Sequence, residues 1–456
     1  MIIETLPDDA LLEIFNFYVD ELEEYDNDIE GWHTLVHVCR RWRNVVFASP
    51  RRLDLRLLCT PTTSVKEMRE IWPEFPIVVY CNATAEGEDN VIDALVLNDR
   101  VVGISFWDVP RVERFVAVMQ GPFPALTDLE LWSSDETAPA LSDSFLGGSA
   151  PRLRQLTLKR IPFPALPKLL LSATDLADLV LWNIPHSGYI SPEAMVACLS
   201  ALSKLKRLVL SFQSPRSRPS RAKPPPTCTI LPALTSFHFE GVTEYLEDLV
   251  ARIDVPSLEE ISIKFFNQLI FDILQLPKFL CRTEKFTALD RADVVLNQRC
   301  IWIWVNLSSK TGTVDPTELG FGISCSQLDW QLSSLIQVYN STLSTPSTLE
   351  RLNVHEAQDS PLHWQDDIEN TQWLELFHPF TNVKNLYLSE KVALCVAPSL
   401  QGLSGEQVIE VLPALQNLFL DGLEPSGPVE EAFRGFVAAR QLSGRPVDIH
   451  RWEREK

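Results

Sequence analysis

An apolar residue, two arbitrary residues, a second apolar residue, one more of any kind and a third apolar residue recur along most of this chain. Clear copies are Leu126-Leu129-Leu131, Leu153-Leu156-Leu158, Leu176-Leu179-Leu181, Leu205-Leu208-Leu210, Leu234-Phe237-Phe239 and Leu258-Ile261-Ile263. Later copies are Leu349-Leu352-Val354, Val383-Leu386-Leu388 and Leu415-Leu418-Leu420, with Val101-Ile104-Phe106 in front. Counting a looser copy at Leu289-Ala292-Val294, successive anchors from Val101 to Leu289 lie 23 to 31 residues apart. The interval from Leu289 to Leu349 is 60 residues, and a degenerate strand at Phe321-Gly322-Ile323 fills it. Units this short cannot bury a core alone, so a near-constant period marks a stacked array. Apolar residues two apart point to one side of a strand. Pro124, Pro151, Pro232, Pro256 and Pro413 stand just before such cores, where a strand loses no ladder donor. Segments such as Pro192-Glu193-Ala194-Met195-Val196-Ala197-Cys198-Leu199 and Glu244-Tyr245-Leu246-Glu247-Asp248-Leu249-Val250 read as returning helices. The expected fold class is α/β, with short parallel strands and outer helices. A generic α/β domain whose buried strands look alike is the alternative.

Strand, turn and helix in repetition resemble a leucine-rich-repeat horseshoe. The Asn or Cys usual three residues past the last leucine of that repeat is missing here. Apolar residues stand there instead, as at Ile161, Ile184, Val242 and Leu423. Without the asparagine ladder, the resemblance implies an irregular horseshoe, a solenoid spanning residues 96–428. Residues 51–95 read as a connecting segment with the first strands, and 429–456 as a C-terminal cap made of a helix (Val429 to Gln441) and a short strand at Val447-Asp448-Ile449.

The first 50 residues obey a different rule. Pro7 sits where a helix begins without losing a backbone bond, and Asp8, Asp9 and Glu13 suit its first turns. Leu11, Ile14, Phe15, Tyr18 and Leu22 fall on one face. A second helical pattern runs through Leu35, Val38, Cys39, Trp42, Val45 and Val46, with Arg40, Arg41 and Arg43 turned away. Two short helices with more apolar surface than they hide from each other need a further partner. Leu6-Pro7, Leu11-Leu12, Ile14-Phe15 and Val38-Cys39-Arg40-x-Trp42 resemble the F-box, the helical motif that docks on the Skp adaptor of cullin-based ubiquitin ligases. The acidic insertion at 20–30 is longer than that family usually carries. A plain helical hairpin capping the array is the alternative.

F-box and divergent repeats together resemble F-box proteins abundant in mushroom-forming fungi. The block from Arg40 to Leu53 and the block from Pro379 to Ser389 look like blocks shared within that group. The resemblance implies a non-catalytic substrate adaptor. Its Skp-type partner would meet Leu6, Pro7, Leu11, Ile14, Phe15, Val38 and Trp42, and through it a cullin ligase. An unknown protein substrate would meet the array. A leucine-rich-repeat scaffold without ligase association and a hydrolase on an unrecognised α/β fold are the rivals.

Within an L-x-L core the x side chains face away from the leucines. The residue just past the core is Trp107, Trp132, Lys159, Trp182, Ser211, Glu240 and Lys264 in successive copies, then His355, Ser389 and Asp421. Tryptophan is favoured at binding hot spots, so Trp107, Trp132 and Trp182 are candidates for a partner-binding strip. Loops packing over them are the alternative reading. Residues 213–228 form a basic, proline-rich loop, either a solvated insertion or a docking segment for an acidic partner.

The formal charge of −21 argues against nucleic acid and anionic membrane as partners. No apolar run is long enough to span a bilayer, and the N-terminus lacks the pattern of a signal peptide. The expected location is cytoplasmic or nuclear. Nine cysteines, with no C-x-x-C pair, fit reduced thiols. No phosphate loop, nucleophile elbow or dinucleotide fingerprint occurs. His33 and His37 stand four apart, without the further ligands a metal needs. The sequence therefore points to no cofactor, no metal and no enzyme.

Overall fold

The L-x-L cores form strands in the computed structural model, which describes residues 6–26, 32–50, 52–63, 65–82, 87–135, 138–215, 228–268, 270–287, 290–297, 299–306, 318–324, 328–342, 349–357, 369–403, 405–424 and 427–453. Strands are mostly parallel and alternate with helices, a mixed α/β fold. The chain divides into two compact units, Met1–Ile190 with Ala201–Leu205, and Ser191–Ser200 with Lys206–Lys456. Among the described residues no helix is long and apolar enough to cross a membrane.

In the first unit, strands Leu57–Cys59, Ile77–Asn82, Val101–Val109, Asp128–Ser133, Gln155–Lys159 and Asp178–Ile184 pair in sequence order, each parallel to the next. The leucine pairs at 129/131, 156/158 and 179/181 are at most 3 % exposed. The side chains between and after them are half-buried or, at Ser133, buried. Just before two of these strands, one carbonyl serves two successive amides of the next repeat. Thr127 O accepts from Arg154 and Gln155, and Arg154 O from Ala177 and Asp178. This fork repeats in the second unit at Lys206, Thr235, Glu350 and Lys384.

Three helices, rather than two, open the chain: Asp8–Asp26, Trp32–Val38 and Arg40–Ala48. The second apolar pattern breaks at Cys39, whose backbone is extended and whose sulfur accepts the Trp42 N–H at 3.4 Å as an N-cap. The acidic stretch from 20 to 26 continues the first helix instead of forming a loop, and residues 27–31 lie outside the described part. Trp32, 1 % exposed, joins these helices to the segment from Arg56 to Phe75. Its ring lies 5.2 Å from Trp72 and 5.5 Å from Phe75, and its N–H donates to Arg56 O at 3.0 Å.

The second unit departs from a linear stack. Its main sheet runs Arg207–Phe212, Ser236–Gly241, Glu260–Phe266, Glu318–Ser324, Cys300–Asn306, Arg291–Leu296, Arg351–Glu356, Asn385–Leu388, Asn417–Leu420 and Asp448–Arg451. Strand Glu318–Ser324 pairs with Glu260–Phe266, ahead of Arg291–Leu296. Between them Cys300–Asn306 runs antiparallel to both neighbours. The loose repeat at Ala292 and Val294 and the gap-filling strand at Phe321 are both strands, but their spatial order is the reverse of their chain order. Leu289 lies outside the described residues. The last helix is Pro428–Leu442, and the last strand begins at Asp448 rather than Val447.

Candidate binding faces on the helices and sheets

The first helix carries two apolar stripes. Leu11, Leu12 and Phe15 turn inward and are buried, and Phe15 packs on Trp42 with ring centroids 4.7 Å apart. Ile14 is 45 % exposed and Phe17 74 % exposed, one turn apart on the outer side, in line with exposed Pro7. Grouping Ile14 with Leu11 and Phe15 is thus corrected: a helix turns about 100° per residue, which puts Ile14 on the outer flank. Val38, at the end of the second helix, is 56 % exposed. The seven proposed adaptor contacts divide accordingly. Leu11 and Phe15 build the helices' own core, Leu6 and Trp42 are half-buried, and Pro7, Ile14 and Val38 face outward. Sequence reasoning missed Phe17, although its spacing from Ile14 was a signal.

Of the three arginines expected to turn away, Arg40 and Arg43 are exposed and Arg41 is half-buried, yet Arg41 and Arg43 bond to the other helical segments. Arg41 donates to Leu6 O at 2.5 Å and pairs with Asp8 at 2.6 Å. Arg43 donates to Val36 O at 3.0 Å, across the Cys39 break. Arg52 pairs with Glu13. His33 stacks on Trp72 at 4.7 Å, and the His37 ring lies 6.2 Å from the same indole.

On the first unit's sheet, the three candidate tryptophans lie along one row. Trp107 and Trp132 stack with centroids 5.3 Å apart and planes within 10°. They do so despite an irregularity in register between Phe106 and Val109. Lys159 Nζ sits 4.0 Å from the Trp132 ring, and Lys159 is the direct cross-strand partner of Trp182. Tyr80 meets Trp107 edge-on at 6.0 Å. The ring and hydrogen-bond contacts of Trp107 and Trp132 thus include neighbours on the same sheet. Trp107 is 41 % exposed; its N–H donates to Glu130 at 2.8 Å. The Trp132 N–H is buried without an acceptor among the described residues, an uncommon state for an indole. Asp108, Arg160 and Asn183, each following a row residue, have φ of 57°, 59° and 53°. Left-handed backbone thus recurs at an equivalent position near the C-terminal end of three strands, at a cost for residues bearing a Cβ.

A second row lies on the sheet of the second unit, two residues earlier in the repeat. Tyr387 and Phe419, each between two buried apolar residues, stack at 4.2 Å with planes within 4°. Trp302 and Trp304 stack at 5.0 Å on the antiparallel strand. They lean over Gly322 and Gly320, where an added Cβ would come within 2.7 and 2.3 Å of the rings. Reading only the residue past each core missed all four. The alternation of Cys300-Ile-Trp-Ile-Trp-Val-Asn306 and the x of Leu386-x-Leu388 and Leu418-x-Leu420 were the signals available.

Charged groups on this second sheet are networked. Asp293 receives two bonds from Arg291, at 2.7 and 2.9 Å, and one from Asn353 at 2.5 Å. Glu240 pairs with Lys264 at 2.8 Å and accepts from Ser211 at 2.9 Å. Burial holds His238 below its ordinary pKa, partly opposed by Glu240. Burial, with Glu260 and Asp293 nearby, raises Glu318. The Cys81 and Cys198 thiols are pushed up to about 11 by burial, so they hold their protons at neutral pH. At the N-terminal ends of the first unit's strands an open groove of about 1250 Å³ carries Arg100, Arg152, Arg154, Asp128 and Asp175. Arg100 is committed to Phe75 O at 2.6 Å and Asp175 to Lys204 at 2.6 Å. Residues 216–227 of the basic loop lie outside the described part.

No protein-family model matches this chain, and no curated protein matches it either.

Proposed function

We propose that this chain is a non-catalytic substrate-recognition adaptor of a Skp/cullin/F-box ubiquitin ligase, its repeats forming a divergent leucine-rich-repeat horseshoe. The outer stripe of Pro7, Ile14 and Phe17, with Val38 at the end of the second helix, carries this reading. Apolar side chains one turn apart on an exposed helix face are what a hydrophobic groove receives. Leu11, Phe15 and Trp42 hold the helices so that this stripe is presented. The row of Trp107, Trp132 and Trp182 is the proposed seat of a protein substrate. The exposed Trp107 ring and the unpartnered Trp132 N–H suit an apolar segment that also brings a hydrogen-bond acceptor. The adaptor would act by proximity, holding the substrate beside the ligase.

Pull-down of a purified Skp-type adaptor tests the first half. The wild-type chain is expected to capture it as a known F-box does, and an Ile14→Asp/Phe17→Asp variant to lose capture with its melting temperature intact. Absence of capture by the wild type would sink the reading. A second reading, a scaffold whose helices only cap the array, draws on Trp32, which joins the helices to Trp72 and Phe75. It is favoured if capture fails while the array still takes partners.

A further inference from the structure

Among the described residues the sheet of the second unit ends on Asp448–Arg451, which pairs on one side only, with Asn417–Leu420. The amides of Asp448 and Trp452 donate inward, to Gln416 O and Leu420 O, both at 2.9 Å. In a parallel ladder successive residues bond to alternate sides. The N–H and C=O groups of Ile449 and Arg451 therefore point outward, ready for another strand.

Planar side chains form one line across the strands to this edge. The Arg351 guanidinium lies 4.0 Å above the Tyr387 ring. Tyr387 stacks on Phe419 at 4.2 Å, and Phe419 on His450 at 4.9 Å. Each step is close to the separation of neighbouring strands, about 4.8 Å. His450, an exposed residue, is the outermost member, with Phe419 on its inner side. Its orientation is set by an amide relay. Asn417 Nδ2 donates to Asn385 Oδ1 at 2.8 Å, which leaves Asn417 Oδ1 facing His450 Nε2 at 3.2 Å. An amide oxygen only accepts, so Nε2 carries the hydrogen, and Nδ1 of the neutral ring is an acceptor.

We propose that the edge strand Asp448–Arg451 receives an extended peptide as an added strand, with a tyrosine or phenylalanine of that peptide stacked on His450 as the next member of the line. Main-chain bonds to Ile449 and Arg451 supply affinity, and the His450 ring selects the side chain in register with it. A peptide fits better than a second copy of this chain. The strand has only four residues and is flanked in the chain by exposed Arg445 and Glu453. A stable homodimer needs about 1,000 Å² of complementary surface, whereas a peptide needs only the edge and one ring. The site makes no use of the N-terminal helices, so it stands or falls apart from the adaptor reading.

Fluorescence anisotropy of the full chain with a labelled Thr-Val-Tyr-Val-Thr peptide and its Thr-Val-Ala-Val-Thr counterpart tests it. The tyrosine peptide is expected to bind about fivefold more tightly, in keeping with one aromatic stack. His450→Ala should abolish that preference, and Ile449→Pro should remove binding of both peptides by deleting an outward N–H. If Ile449→Pro lowers the melting temperature, His450→Ala alone decides. Equal binding of the two peptides, an unchanged preference in His450→Ala, or no binding at millimolar peptide would each overturn the proposal. So would sedimentation showing His450-dependent dimers that take no peptide, which would make a second copy the occupant.

Discussion

The run from Asp128 to Ile184 in the first unit and the stretch from Glu260 to Glu356 in the second are built from the same apolar pattern, yet they solve different problems. In the first, each strand lies beside the one before it, and the ladder closes locally, at steps of 27 and 23 residues. In the second, Glu318–Ser324 returns to pair with Glu260–Phe266, and Cys300–Asn306 fills the space with its direction reversed. Local pattern decides that a segment is a strand. It does not decide the neighbour, which depends on pairing between segments far apart in the chain. Two glycines make this particular meeting possible, because the Trp302 and Trp304 rings occupy the space over Gly322 and Gly320.

The largest effect that sharpens this contrast is expected from Leu156→Ala, a fully buried core residue of the regular run. It should cost about 3 kcal/mol. Hydrogen exchange should show that loss first in strands 128–184; a uniform rise over strands 260–356 would contradict separate local stacking. Gly320→Val should cost about 2 kcal/mol by overpacking against Trp304, read by denaturant unfolding. Ser105→Val, at the corresponding face of the first unit, should stay within about 0.5 kcal/mol. A double Gly320→Val/Trp304→Ala variant that recovers none of the loss would break the glycine account. Lys159→Met should then weaken the first row by about 0.5 to 1 kcal/mol through loss of its contact with Trp132, visible as a change in tryptophan fluorescence. Arg351→Met should have a similar effect over Tyr387.

The smallest expected effect is one of pH. Burial lowers the His238 pKa from 6.5, so the unfolded chain binds that proton more readily than the folded one. Stability should fall as pH drops below 6.5, and His238→Phe should flatten that part of the melting profile. A variant with the wild-type slope would assign the effect to another group. Glu318 acts with opposite sense. Its raised pKa makes the folded state favour the protonated acid, so its contribution is lost as pH rises above 4.5.

How far the sequence was readable depends on the range of each interaction. Leu129, Leu158 and Leu181 were legible as core because burial on one face imposes a period of two. The same parity made Trp107, Trp132 and Trp182 readable as one row. Tyr387 and Phe419 escaped because their rings lie between the two apolar residues rather than after them, two residues earlier on the same face. Cys300–Asn306 alternates cleanly, so its strand was open to reading, but its reversal depends on residues 318–324. Trp32 escaped for a related reason. It begins a helix just beyond an acidic stretch, and its partners Trp72 and Phe75 lie 40 and 43 residues away. At the N-terminal face, helical spacing located the apolar residues, but the division between inner Phe15 and outer Ile14 depended on where the third helix packs.

The reversed strand also bears on how such a chain can change its length over generations. A parallel run in which each repeat meets only its predecessor tolerates duplication or loss of a whole unit, since the new neighbours present the same edge as the old ones. Across Cys300–Asn306 that interchangeability ends. A strand of opposite direction sits between two antiparallel mates, so the segments flanking it are no longer exchangeable modules. Gain or loss of repeats should therefore be confined to the stretches on either side, with the Trp302 and Trp304 strand inherited as an indivisible block.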